Sequence, residues 1–115
     1  MKGLNFVGTS LDDLRAFPDK ARQSAGHQLH LVQLGDEPND WKPLKTVGQG
    51  VREEPIRIAE DRGAFRVIYV ANIGEVVYVL HAFQKKTEQT RQADIDLARR
   101  RFKQVSQGVG RGKGD

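Results

Sequence analysis

Residues Gly63–Arg91 read GAFRVIYVANIGEVVYVLHAFQKKTEQTR, and this stretch decides the fold. Two apolar runs, Phe65–Ala71 and Val76–Phe83, flank a short Asn-Ile-Gly-Glu segment, the pattern of a β-hairpin. One arginine, Arg66, interrupts the first run, and one histidine, His81, interrupts the second. A two- or four-residue turn centred on Ile73-Gly74 predicts that Arg66 and His81 face each other across the strands, ~5 Å apart. Lys85 and Lys86 follow directly. A cationic cluster on a rigid strand scaffold suits phosphate chemistry.

Working outward, a second turn about Asp61-Arg62 would bring Arg57 opposite Arg66 and align Arg57, Arg66 and His81 in one row. A three-residue turn using Gly63 would break that row at Arg57, and both registers are compatible with the sequence. Upstream, Val51 to Ala59 reads as a strand with a break or edge at Pro55. Residues 36–50 lack periodicity and hold Pro38, Pro43, Gly48 and Gly50, so they form a loop. Trp41 either anchors that loop against the core, the preferred reading, or stands exposed to stack on a base.

Leu4-Asn5-Phe6-Val7 is a short strand, and Ser10 is the expected N-cap of a first helix. Asp12 and Asp13 then lie at the positive end of its dipole. Pro18 suits the first position of a second helix, along which Ala21, Ala25, Leu29 and Val32 recur at helical spacing. Gly35 ends it. Thr90 or a neighbour begins a last helix with Ile95, Ala98, Phe102 and Val105 on one face and Arg99-Arg100-Arg101 largely off it. Residues 1–107 form one domain, and the basic, glycine-rich residues 108–115 are expected to be a disordered tail. The order β-α-α-β-β-β-α predicts an α+β fold: an antiparallel sheet with an N-terminal helical hairpin and a C-terminal helix, the helices packed on one sheet face and the other face partly open.

The chain has 115 residues and no cysteine, which excludes disulfides and thiolate metal sites. It lacks a signal-peptide pattern and any apolar stretch of the ~20 residues needed for a membrane span, so a cytoplasmic protein without membrane contact is expected. Net charge is +4, and it is uneven: residues 84–115 carry nine Lys/Arg against four Asp/Glu. A basic end on a near-neutral body suits an anionic partner, RNA or DNA, as well as a solvated surface.

Arg66 is the sharpest candidate. Its alternatives are a salt bridge to Glu53, Glu54 or Glu60, or a bidentate grip on phosphate from the open sheet face. His81 is a candidate general acid or base near neutral pH. Lys42, Lys45 and Arg52 around the loop, with Lys85, Lys86 and Arg91 after the hairpin, form a candidate phosphate-backbone grip. His27 and His30 stand without other metal-ligand types at suitable spacing. No carboxylate set spaced for metal, Ser/His/Asp arrangement or Gly-rich phosphate loop is present, so no metal or cofactor is expected.

The strings Trp-Lys-Pro-Leu-Lys (41–45), Gly-Gln-Gly-Val-Arg-Glu (48–53), Ala-Phe-Arg-Val-Ile-Tyr-Val-Ala (64–71) and Val-Tyr-Val-Leu-His-Ala-Phe-Gln-Lys-Lys-Thr (77–87) resemble the phage-derived, HigB-like branch of the RelE/ParE toxins. The helix beginning Thr90-Arg91, the segment Ser10–Pro18 and the segment Gly26–Gly35 resemble that branch too, and the likeness covers roughly residues 4–107. It implies a RelE-like fold and the toxin of a type II toxin–antitoxin system. Such a toxin is an endoribonuclease that cleaves mRNA without metal, usually in the ribosomal A site, and so inhibits translation. Its partner would be an adjacently encoded helix-turn-helix antitoxin. The resemblance places the family's strand arginine on Arg66, its basic pair on Lys85 and Lys86, and its earlier basic residues on Lys45 and Arg52. The tyrosine that some relatives carry is absent after Tyr78, which leaves His81 or a lysine as general base. The Glu-Glu-Pro before Ile56-Arg57 departs from the family string at Arg57. The rival readings are a ParE-like gyrase inhibitor without nuclease activity and a phage-derived nucleic-acid-binding accessory protein.

Overall fold

A computed structural model describes residues 1–56, 65–85 and 89–108. In chain order the elements are β1 (Gly3–Phe6), α1 (Ser10–Arg15), α2 (Asp19–Gln33), β2 (Lys42–Pro43), β3 (Val51–Ile56), β4 (Phe65–Ile73), β5 (Val76–Gln84) and α3 (Gln92–Ser106). The strands make one sheet in the order β1-β5-β4-β3-β2. The α+β order is as expected, with two additions. The loop contributes the two-residue edge strand β2, and β1 joins β5 in parallel, Gly3 beside Val76, although the rest of the sheet is antiparallel.

The apolar runs of β4 and β5 are too continuous for a strand with one wet face, and both faces are covered. On one face Leu14, Phe17, Ala21, Ala25, Leu29 and Val32 of the helical hairpin pack against Val67, Tyr69, Val77 and Val79. On the other, Ala98 and Val105 of α3, with Ile95 and Phe102 beside them, pack on Ile68, Val70, Tyr78 and Leu80. The expectation of helices on one face is thereby corrected: α3 covers part of the second face. The spacings read for α2 and α3 hold. Gly35, at φ +88°, closes α2 with the paired bonds Asp36 N–H to Leu31 O and Gly35 N–H to Val32 O. Among the described residues no helix is long and apolar enough to cross a membrane.

The hairpin turns one residue later than predicted. Ile73 pairs with Val76, so Gly74-Glu75 is the loop, and Gly74 supplies the positive φ (+61°) that its first position needs. Arg66 therefore faces Phe83, and His81 faces Ile68. On the other side Pro55, not Arg57, pairs with Arg66. Arg57 itself, the end of the strand predicted to Ala59, the Asp61-Arg62 turn and the tail from residue 109 lie outside the described residues. Pro55 sits past the short β2, where its missing N–H leaves no ladder bond unmade.

Two register shifts lie between the turn and Arg66, one between Val70 and Ile73 and one where β5 bulges, and because they cancel, Arg66 and His81 share a face. Ile68 pairs with His81 but Tyr69 pairs with Val79, leaving Leu80 as the extra residue. Strict alternation from Val77 and Val79 would have sent His81 towards the helical hairpin; the bulge turns it towards α3. Arg101 holds this geometry, its Nη1 donating to the Leu80 carbonyl at 2.8 Å and its Nη2 to Thr9 Oγ1 at 3.1 Å. Arg101 is only 9% exposed. The reading that set it off the buried face with Arg99 and Arg100 is corrected, because an unpaired bulge carbonyl inside the protein requires a donor.

The expected N-cap of α1 differs, whereas the last helix begins beside Thr90 as expected. Ser10 lies inside α1 and donates to the Val79 carbonyl at 3.1 Å, and Thr9 occupies the cap position. Thr90 precedes the cap residue Arg91 of α3 and donates to Glu53.

Glu54 is the anomaly in the first core. It is 1% exposed, neither carboxyl oxygen has a hydrogen-bond partner among the described residues, and burial followed by the nearby Asp40 charge pushes its pKa up to about 8.

Two outcomes follow from the packing. Arg101→Leu removes both bonds and strands the Leu80 carbonyl, so urea unfolding should show a loss of about 2 kcal/mol. For Glu54 the folded chain keeps a proton that the unfolded chain releases above its ordinary 4.5, so stability is full below that pH and falls as pH rises to about 8. Glu54→Gln should flatten that decline, measured as unfolding free energy against pH for the two proteins side by side.

Candidate active site

The second sheet face carries the charged residues beyond the reach of α3. Register places Glu53 beside Ile68 and Pro55 beside Arg66, so Glu53, Arg66, His81 and Phe83 all lie on this face. Glu53 has no exposed surface. Thr90 Oγ1 donates to its Oε2 at 2.7 Å, and Lys42 Nζ stands 3.3 Å from its Oε1 as an ion pair without hydrogen-bond geometry. A buried carboxylate without cations would be costly, and cations massed without a carboxylate would repel one another. Here each resolves the other's difficulty.

Lys85 is half-buried at the end of β5. Burial pulls its ammonium below the ordinary lysine range, Glu53 opposes that, and Lys42 and Arg66 reinforce it. Lys42, Arg66 and Lys85 thus surround one buried carboxylate. Arg66 is partly buried, and its Nη1 donates to the Phe65 carbonyl at 3.0 Å, which orients the guanidinium along the strand. A cavity of about 260 Å³ opens here between Asp40, Trp41, Lys42, Glu53, Pro55 and Arg66.

His81 lies deeper than its predicted role requires. It is 6% exposed, its ring stacks on Phe83 with centroids 4.6 Å apart, and its Nε2 lies 2.8 Å from Asp94 Oδ1. Its Nδ1 is buried with no hydrogen-bond partner among the described residues. Arg91 approaches the other oxygen of Asp94 at 3.9 Å and is largely exposed. The pair therefore ties β5 to the first turn of α3.

Of the predicted site residues, the fold gathers Lys42, Arg66, His81, Lys85 and Arg91 on one face. Arg52 points the other way, since it pairs with Tyr69 of the first core. Its guanidinium lies 3.7 Å above the Trp41 ring and bonds Glu37 at 2.8 Å. Lys45 lines a separate cavity with Arg52. Lys86 lies outside the described residues. Trp41 belongs to neither apolar core; it is half-buried under Arg52 rather than anchored in the interior.

Sequence reasoning named Glu53 only as one of three possible partners of Arg66; it missed Glu53 as the centre of the cluster, and Thr90 and Asp94 as supports. Glu53 alone carried a signal, as a carboxylate at an inward position of a strand. Among the described residues, no three His, Asp or Glu side chains group as they would to hold a metal.

The family model "Phage derived protein Gp49-like (DUF891)" matches residues 12–103. No curated protein matches the chain. Among solved structures, the isolated RelE toxin of E. coli aligns with a TM-score of 0.58 at 15% identity, over 87% of this chain and 98% of that chain. At that identity the likeness is one of fold, and it agrees with the expected RelE-like architecture. The chain belongs to the phage-derived Gp49-like family, a RelE/ParE-like toxin family.

Proposed function

We propose that the protein is the toxin of a type II toxin–antitoxin pair and acts as an endoribonuclease on mRNA held by the ribosome. The observation that supports this most is the set Lys42, Arg66 and Lys85 around the fully buried Glu53, at the mouth of a cavity on a rigid strand face. In-line attack by an RNA 2′-hydroxyl on its own phosphate needs charge stabilisation at the phosphoryl oxygens and a proton for the leaving 5′-oxygen. The planar fork of Arg66 suits the first task. Lys85, whose proton is loosened by burial, suits the second, with Lys86 adjacent in sequence. Lys42 and Arg91 hold the flanking backbone.

His81 is better placed to position than to touch RNA, because its Nε2 is engaged by Asp94 and little of the ring reaches solvent. It keeps the start of α3, and hence Thr90, against Glu53. A gyrase inhibitor would have no use for the phosphate grip. The antitoxin that such a toxin requires, a helix-turn-helix protein in this reading, would meet the positive face with acidic side chains. Co-purification with the product of the neighbouring gene, disrupted by salt, checks that contact.

Arg66→Ala should abolish growth arrest and lower cleavage of ribosome-bound mRNA about 100-fold, with the circular dichroism of the folded protein unchanged. Arrest at the wild-type level by the folded variant would sink the assignment; arrest with altered DNA supercoiling and intact mRNA 5′ ends would select the gyrase reading. His81→Gln is expected to cost less than tenfold in rate. A loss of about 10²–10⁴ would instead make His81 the proton-transfer group.

A further inference from the structure

Trp41 is the chain's one tryptophan, and it walls two neighbouring cavities. The first is the 260 Å³ cavity holding Lys42 and Arg66. The second, of about 540 Å³, lies along β2 and is lined by Trp41, Pro43, Lys45, Gln49 and Arg52, with backbone from Gly50 and Val51. That volume is in the range of sites that take small organic ligands. Among the described residues no acidic side chain lines it, and two cations do.

We propose that this second cavity is a subsite of single-stranded RNA, taking the nucleotide next to the phosphate gripped at Arg66. The inference rests on the ribonuclease reading and adds where the neighbouring nucleotide goes. Single-stranded bases are held by stacking on aromatic rings and on guanidinium planes. The Trp41–Arg52 stack supplies both, at 3.7 Å, and Glu37 holds the guanidinium in place from its far end at 2.8 Å. Because the indole lies outside both apolar cores, the stack does not serve to fill the interior. Lys45 and Gln49 are exposed at the rim. Lys45 offers an ammonium to the next phosphate, and Gln49 offers an amide to a base edge. A strand whose phosphate sits at Arg66 would pass Trp41 and then reach Lys45. An acidic peptide would satisfy the cations but would leave the flat stacked surface without a partner.

The lone tryptophan reports on its own subsite. Titrating the full chain with a short, uncleavable 2′-O-methyl RNA should quench Trp41 emission saturably, whereas inorganic phosphate should not. Quenching should persist in Arg66→Ala. Lys45→Ala should weaken binding several-fold and Trp41→Leu about tenfold, the latter followed by anisotropy of a labelled RNA. Lys45→Ala, a substitution of an exposed side chain, carries the test if Trp41→Leu does not fold. No saturable binding, or binding that leaves Trp41 emission and the Lys45→Ala affinity unchanged, overturns the subsite, as does quenching by an acidic peptide but not by RNA. If cleavage is intact in those cases, the ribonuclease reading survives. If RNA quenches Trp41 yet the wild-type protein neither cuts mRNA nor arrests growth, the subsite stands and the ribonuclease reading falls.

Discussion

The one extra residue in β5 governs the molecule. Leu80 breaks the two-residue period of the strand, so the alternation changes phase there and odd-numbered residues before and after it present to different helices. Before the bulge, Val77 and Val79 seal the helical hairpin; at and beyond it, His81 and Phe83 face the end of α3. A bulge survives inside a sheet only if its carbonyl finds a donor, and Arg101 reaches back from α3 to supply it. Gly8, at φ +59°, makes room: a Cβ there would stand 2.7 Å from the Arg101 guanidinium. The helix that covers the second face therefore also fixes the strand that creates it.

Beneath the cations, the same economy recurs with opposite sign. Lys42, Arg66 and Lys85 would repel one another on a bare sheet; Glu53, with no exposure of its own, lets them converge. Thr90 satisfies its remaining oxygen from the segment before α3. The charged face is thus assembled by the fold itself, and its donors are oriented in advance.

What could be read from the residues divides along physical lines. Local periodicity was sufficient for α2, α3, the β4–β5 hairpin and, through resemblance, the RelE-like architecture. Register was harder, because it depends on which residue takes the positive φ in a turn, and Gly74 rather than Ile73-Gly74 as a pair decided it. The bulge was invisible, since both Leu80 and its neighbours are plausible at either face until Arg101, 21 positions later in sequence, is seen to accept the role. Arg66 was legible as a cation inside an apolar run, with Lys42 and Lys85 as members of a basic set around it, and Glu53 as one of three possible partners of Arg66. That Glu53 is shared by the cations and propped by Thr90 was not legible, because such pairings are set by strand order rather than by spacing.

The parallel contact of β1 with β5 has a consequence for how the chain is made. Gly3–Phe6 find their partner only at Val76–Val79, far along the chain, so the sheet cannot close until that strand has been synthesised. Contacts so distant in sequence also form late in folding. Lys85 and Thr90 follow Val76–Val79 in the chain, so the charged face around Glu53 is likewise complete only once residues beyond that strand have been made.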